Sequence, residues 1–228
     1  METWLQYHTV IVFCLDCTGS MGPVIDLAKD NVLKITSDLV DAYKKKEKHV
    51  KELRVRIVAF RDLANDLNSL EVSKFFSIEP SNHRDDFKSF LNRLEPSGGG
   101  DEPESALEAL AIAVSSEWTD KGDRQRHVVV VLTDASSHRL EDRVGNVPAD
   151  YADSFPKSLD ELTEIWNGGQ AAKLKRSARR LIIFGPDAYP WNTISEAWGQ
   201  TIWLPSQADA GLEEFEYSTI LDTLANGI

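Results

Sequence analysis

The stretch TVIVFCLDCTGSMG, residues 9–22, decides the fold. It opens as an apolar run rich in β-branched residues and breaks abruptly at Asp16-Cys17-Thr18-Gly19-Ser20. Pro23 then stands where proline is tolerated near a helix start, and Val24, Leu27, Ala28, Val32, Ile35, Leu39 and Ala42 recur at helical spacing. The pattern predicts a buried strand, an oxygen-rich turn and a helix running to about Lys46. In an open parallel sheet such a turn lies outside the carboxyl end of the strand, where ligands bind. Asp16, Thr18 and Ser20 alternate, so an extended turn aims all three at one point. One carboxylate and two hydroxyls suit a hard cation such as magnesium.

Outward from that turn, the chain repeats the theme. Residues 53–60, LRVRIVAF, read as a second strand ending in Arg61-Asp62, with Asp66 a little further on. Residues 72–78 read as a short antiparallel edge strand, and 83–94 as a helix with Phe87, Phe90, Leu91 and Leu94 on its buried stripe. Gly98-Gly99-Gly100-Asp101-Glu102-Pro103-Glu104 follows, and Pro103 opens a helix with Ala106, Leu107, Leu110, Ala111 and Val114 inward. Acids at a helix start suit its dipole, but that does not explain three consecutive glycines, which allow close approach of backbone to a ligand. Residues 127–132, HVVVVL, form a continuous apolar run typical of a central strand and end in Thr133-Asp134. Further strands are expected at 181–184 and 201–204, with a closing helix at 218–225.

This alternation predicts an α/β fold: a Rossmann-like, doubly wound, mostly parallel central sheet with an antiparallel edge strand and helices on both faces. The 228 residues suffice for one core, so 1–228 reads as a single domain with an insertion at about 136–172 packed near the metal face. Within that insertion Ser158-Leu159-Asp160-Glu161 is a capping box, followed by a stripe of Leu159, Leu162, Ile165 and Trp166 that ends at Gly168-Gly169.

Bulk properties narrow the function classes. Hydrophobic residues at 42% and charged residues at 27% mark a folded protein. A net charge of −12 opposes nucleic acid and anionic membranes unless a basic patch overrides it. Lys44-Lys45-Lys46 with Lys48 fits a helix C-terminus or a basic docking patch. Lys173, Lys175, Arg176, Arg179 and Arg180 fit a solvated face, or a phosphate or acidic-partner site. The first residues lack the basic and apolar regions of a signal peptide, and no run reaches a membrane span, so a cytoplasmic location is expected. The only cysteines, Cys14 and Cys17, have C-x-x-C spacing, but their strand and turn positions read as two small buried thiols. Trp191, Trp198 and Trp203 cluster as core or as interface.

Three separated turns thus point at one site, and their order resembles the von Willebrand factor type A (vWA) family with its metal-ion-dependent adhesion site. The resemblance rests on Asp16 to Met21, Phe60-Arg61-Asp62, Gly98 to Glu104 and Thr133 to His138, and is nearest the microbial and α-kinase-associated branch. It implies a cation on Asp16, Thr18 and Ser20, with Asp101 near it and Asp134 reaching it directly or through water. Glu104, Asp62 and His138 are expected behind the direct ligands. The cofactor implied is Mg2+, with Mn2+ or Ca2+ as substitutes. Asp101 departs from the family, where many members have a neutral threonine; an added carboxylate should tighten metal binding and weaken the demand for an acidic ligand.

The function so implied is a non-catalytic, metal-dependent protein-interaction module, an adaptor subunit of a cytoplasmic bacterial multiprotein system. Its protein partner, an ATPase, kinase or protease for example, would bind through the metal face and the insertion, with no nucleic acid or membrane involved. The alternative is a magnesium-dependent phosphohydrolase on a Rossmann-like fold, since acids at strand ends can hold magnesium and position a phosphate. Against it, no P-loop lysine or G-x-G-x-x-G follows the first strand. Ser136, Ser137 and His138 beside Asp134 superficially suggest hydrolysis, yet adjacency in sequence is the wrong signature for a triad. A third reading, nucleic-acid binding through residues 173–180, runs against the net charge.

Overall fold

The computed structural model describes residues 5–23, 25–66, 68–79, 83–100, 102–142 and 155–206. The decisive stretch becomes β1, Gln6–Asp16. It pairs in parallel with β2, His49–Phe60, on one side and with the fifth strand, Arg124–Leu132, on the other. Val10 through Leu15 are completely buried, which explains a run with no polar alternation: both faces of this strand are covered.

Two short strands, β3 (Leu70–Val72) and β4 (Phe76–Glu79), lie antiparallel to β2. The expected single edge strand is therefore interrupted. Ser73 lies in the gap, where its hydroxyl oxygen accepts from the Ile57 N–H at 2.9 Å while donating to the Lys74 carbonyl at 2.7 Å. Beyond β5 (Arg124–Leu132) the sheet continues in parallel with β6 (Arg179–Pro186) and β7 (Thr201–Ser206), giving the order β3-β2-β1-β5-β6-β7.

Helices cover both faces. α1 (Ile25–Lys45) and α2 (Arg84–Asn92) bury Val32, Ile35, Leu39, Phe87 and Leu91 against Ile11, Phe13, Val55 and Val130. On the other face α3 (Ala106–Val114) packs against Val12, Val58 and Val129, and each of its residues is buried, so it lacks a polar stripe. α4 (Leu159–Asn167) and α5 (Trp191–Ala197) complete that layer with Leu162, Trp166, Trp191 and Ile194. The N-cap forms, with Ser158 Oγ accepting from the Glu161 N–H at 3.1 Å, while the Glu161 carboxylate reaches back one residue further, to the Lys157 N–H at 2.7 Å; Gly168 closes the helix at φ 97°.

In the stretch set apart as an insertion, α4 is the crossover helix that parallel strands β5 and β6 need. Residues 143–154 of that stretch, the helix expected at 218–225 and Asp101 lie outside the described residues. Trp166 and Trp198 stack with ring centroids 5.0 Å apart, and Trp191 is wholly buried, so Trp191 and Trp198 are core residues. Cys14 faces the α3 layer and Cys17 the α1 layer; both are free thiols. Burial pushes the Cys17 thiol up to about 12 and the Cys14 thiol higher still, which opposes redox chemistry. Among the described residues no helix is long and apolar enough to cross a membrane.

Candidate functional site

The carboxyl ends of β1, β2 and β5 meet at Asp16. It is the last residue of β1 and completely buried. Its Oδ1 accepts from the Thr18 N–H at 2.9 Å and the Thr18 hydroxyl at 2.7 Å; its Oδ2 accepts from the Thr133 hydroxyl at 2.6 Å. Next along the turn, Thr18 Oγ1 and Ser20 Oγ are 3.1 Å apart, and Ser20 Oγ donates to Asp134 Oδ1 at 3.2 Å. The sequence-expected residues Asp16, Thr18, Ser20 and Asp134 therefore form one continuous oxygen chain across two loops.

Each hydroxyl both meets a carboxylate and lies within hydrogen-bond distance of the other, so Thr18 and Ser20 bring two oxygens side by side between Asp16 and Asp134. Among the described residues, no group of three or more Asp, Glu, His or Cys side chains is placed to hold a metal ion. The mixed carboxylate–hydroxyl set fits an oxygen-preferring divalent ion such as Mg2+.

The glycine loop forms the opposite wall of a cleft of about 310 Å³. Ser97 N–H donates to the Cys17 carbonyl and Gly19 N–H to the Gly98 carbonyl, both at 3.0 Å, which staples the loop to the Asp16 turn. Gly98 and Gly99 have φ of 69° and 65°. A Cβ on Gly99 would meet Glu104 Oε1 at 2.5 Å and Thr18 Cβ at 2.9 Å, so the approach itself demands glycine.

Glu104 lies behind that wall, 4% exposed, with Oε2 buried and unpartnered. Burial, and then the charges of Asp16, Asp62, Asp66 and Asp134, push its carboxyl up to about 8. Burial likewise raises Asp16 to about 6, against the lowering effect of its hydrogen bonds from Thr133 and Thr18. Burial is thus the larger cause at both groups, and the neighbouring carboxylates add to it at Glu104.

Asp62 and His138 come together from positions 76 apart: His138 Nε2 is 3.2 Å from Asp62 Oδ1. Asp62 also caps its own turn, accepting from Ala64 N–H at 2.8 Å and from Asn65 Nδ2. Arg61 does not pair with Asp62. It reaches Glu71 Oε1 at 3.3 Å and the Asn68 and Glu95 carbonyls at 3.0 and 2.8 Å. The serines beside His138 form no triad: Ser136 donates to Glu102, and Ser137 donates to the His138 carbonyl while accepting from Leu107 N–H.

Two further residues organise the site. Thr133 bridges β5 to Asp16, and its position before Asp134 at a strand end was the available signal. Asp66 Oδ2 accepts from Gly99 N–H at 2.9 Å and from Asp62 N–H at 3.2 Å, tying the loop after β2 to the glycine loop. Asp66 had only its spacing from Asp62 to mark it.

A parallel sheet with an antiparallel edge, helices on both faces and an Asp-x-Thr-x-Ser turn at its carboxyl end defines a vWA domain. The family model described as von Willebrand factor A domain matches residues 10–152, and the chain belongs to that family. The α-protein kinase vwkA of Dictyostelium discoideum is 28% identical over 162 residues, 68% of this chain and 23% of that relative. The chain thus spans about a quarter of that relative's length. Among solved structures, the pilus adhesin SpaC from Lactobacillus rhamnosus GG superposes with TM-score 0.59 at 12% identity, over 99% of this chain and 31% of that one. Proximal thread matrix protein 1 from the mussel byssus gives 0.55 at 13% identity, over 98% and 49%. At such identities both show the fold alone.

Proposed function

We propose that this chain is a non-catalytic, metal-dependent protein-interaction module. Asp16, Thr18, Ser20 and Asp134 would hold Mg2+, with Asp101 joining them and Mn2+ or Ca2+ able to substitute. The observation that carries this reading is the oxygen chain from Asp16 through Thr18 and Ser20 to Asp134, whose last three members line the cleft at the carboxyl ends of the strands. The bound cation would supply a Lewis-acidic contact for an oxygen of the partner. Asp101, with Glu104 behind the cleft, would raise metal affinity and reduce the need for a partner carboxylate. What supports the lack of turnover is that the Ser136 and Ser137 hydroxyls donate to Glu102 and to the His138 carbonyl, so neither pairs with the His138 ring.

The module would recruit its protein partner through the metal face and the 136–172 stretch, as an adaptor in a cytoplasmic assembly, with the bacterial setting part of the same proposal. The name of the Dictyostelium relative makes a kinase one candidate for the associated activity, beside an ATPase or protease. The test is thermal unfolding with Mg2+, Mn2+ or Ca2+ against chelator, for wild type and Asp16→Ala. At a hundredfold excess over Kd, binding adds ~2.7 kcal/mol, an upward shift of about 5–10 °C for a domain this size. The shift is expected in wild type and absent in Asp16→Ala. A metal-independent melt in both, or phosphatase turnover abolished by Asp16→Asn, would sink the proposal.

A further inference from the structure

All the parallel strands start at the end of the sheet opposite the metal cleft, and cations gather there. On the α3 side of that end, Arg54 and Arg56 come from β2, and Lys173 and Lys175 from the segment before β6. Lys175 and Arg54 lie near His127, whose Nδ1 accepts from the Lys175 N–H at 3.2 Å. The charges of Lys175 and Arg54, after burial, hold that imidazole below its ordinary value.

Their hydrogen-bond partners are neutral. Lys173 Nζ donates to the Ser115 carbonyl at 2.9 Å, and Lys175 Nζ to Gln125 Oε1 at 2.8 Å. Arg56 donates to the Ser73 carbonyl at 2.9 Å and Ser116 Oγ at 3.1 Å. Glu52 is the acid in reach among the described residues, 3.8 Å from Arg54 Nε, and it lies closer to His8, at 3.2 Å. Lys29, Lys74 and Arg61 by contrast lie against Asp26, Asp86 and Glu71 at 2.9, 2.8 and 3.3 Å, so the contacts of Lys173, Lys175 and Arg56 leave their positive charge uncompensated at this face.

We propose that this basic end is a second interaction surface, which takes an acidic segment of a partner protein. The Arg54 and Arg56 guanidiniums lie over the Phe75 ring, 5.1 and 5.2 Å from its centroid, which holds both charges at this face. Lys173 and Lys175 are exposed beside them. A short peptide feels this local field, because the acidic remainder is screened beyond about 8 Å at physiological salt. A broad polyanion such as a membrane or a nucleic acid must also approach that remainder, at −12 for the whole chain.

The experiment is fluorescence anisotropy of a labelled oligoglutamate peptide titrated with the full chain in chelator, over a salt series. Binding is expected, weakening as salt rises. Lys173→Gln/Lys175→Gln should weaken it about fivefold, as two screened ion pairs allow. Lys88→Gln/Lys157→Gln, with the same change in net charge elsewhere, should leave it unchanged. No binding, equal loss in both double variants, or binding that requires magnesium overturns the proposal. Phosphatidylserine vesicles or a single-stranded oligonucleotide binding more tightly than the peptide would overturn it in favour of that class.

Discussion

Gly99 and Gly168 make a matched pair for separating backbone strain from steric contact. Both occupy left-handed conformations, at φ 65° and 97°. Alanine at either position carries the left-handed penalty of about 1–2 kcal/mol. At Gly168 nothing lies within 4 Å of the new Cβ, so that penalty is the whole effect. At Gly99 the Cβ would also come 2.5 Å from Glu104 Oε1 and 2.9 Å from Thr18 Cβ. Moving a buried neighbour out of such contact adds about 1–3 kcal/mol. Gly168→Ala should therefore lower Tm by about 2–8 °C, and Gly99→Ala by about 4–20 °C. The site supplies a second readout. Thr18 carries the hydroxyl linking Asp16 to Ser20, so Gly99→Ala should also weaken cation binding, whereas Gly168→Ala should not. Urea unfolding in chelator gives the stability difference, and titration calorimetry with Mg2+ gives the affinity. Equal stabilities for the two variants, with magnesium affinity intact in both, would refute the close approach of glycine loop to metal turn.

In chelator, stability should fall as pH rises from the unfolded Glu104 value of 4.5 towards about 8. In that window the folded state keeps a proton that the unfolded chain has released. Glu104→Gln should flatten the upper part of this fall and stabilise the protein at about pH 8, by the ~1–3 kcal/mol of an unsatisfied buried carboxylate; melts across pH would show it. Ser158→Ala removes the cap on the Glu161 N–H and should cost about 1 kcal/mol by denaturant unfolding, with no change in metal affinity. Arg61→Met leaves the Asn68 and Glu95 carbonyls and Glu71 without their buried donor, and should destabilise by about 2–3 kcal/mol in the same assay.

The parts of the fold legible in sequence were those encoded by continuous runs. β1 and β5 are buried on both faces, and their apolar stretches have no other use in a folded chain. The Asp16 turn was legible because its three oxygens lie within five residues. α5 was missed: it has seven residues and follows Pro190 with no side-chain cap, and its tryptophans at 191 and 198 do not reveal a period. The split between β3 and β4 depends on one serine hydroxyl and could not be read from hydropathy. At the site, the links between Asp66 and Gly99, and between Asp62 and His138, join residues 33 and 76 positions apart. Such pairs are selected by the tertiary arrangement of three strand ends, so local pattern carries little trace of them. Arg61, adjacent to Asp62 in sequence, reaches Glu71 instead, a partner that adjacency does not indicate.

Cys14 and Cys17 stand on opposite faces of the sheet and bracket Asp16, with no accessible surface on either. An alkylating reagent can reach either sulfur only during an opening event, so labelling of each thiol clocks one layer separating from the sheet. Because the chain has no other cysteine, two mass-resolved peptides would time those openings on the two sides of the same carboxylate without introducing a probe. A cation that staples the three loops together should slow the Cys17 exchange more than that of Cys14, since Cys17 lies within the turn itself and its carbonyl anchors the glycine loop. The two native thiols thus make the grip of any cation on the cleft measurable as a ratio of rates.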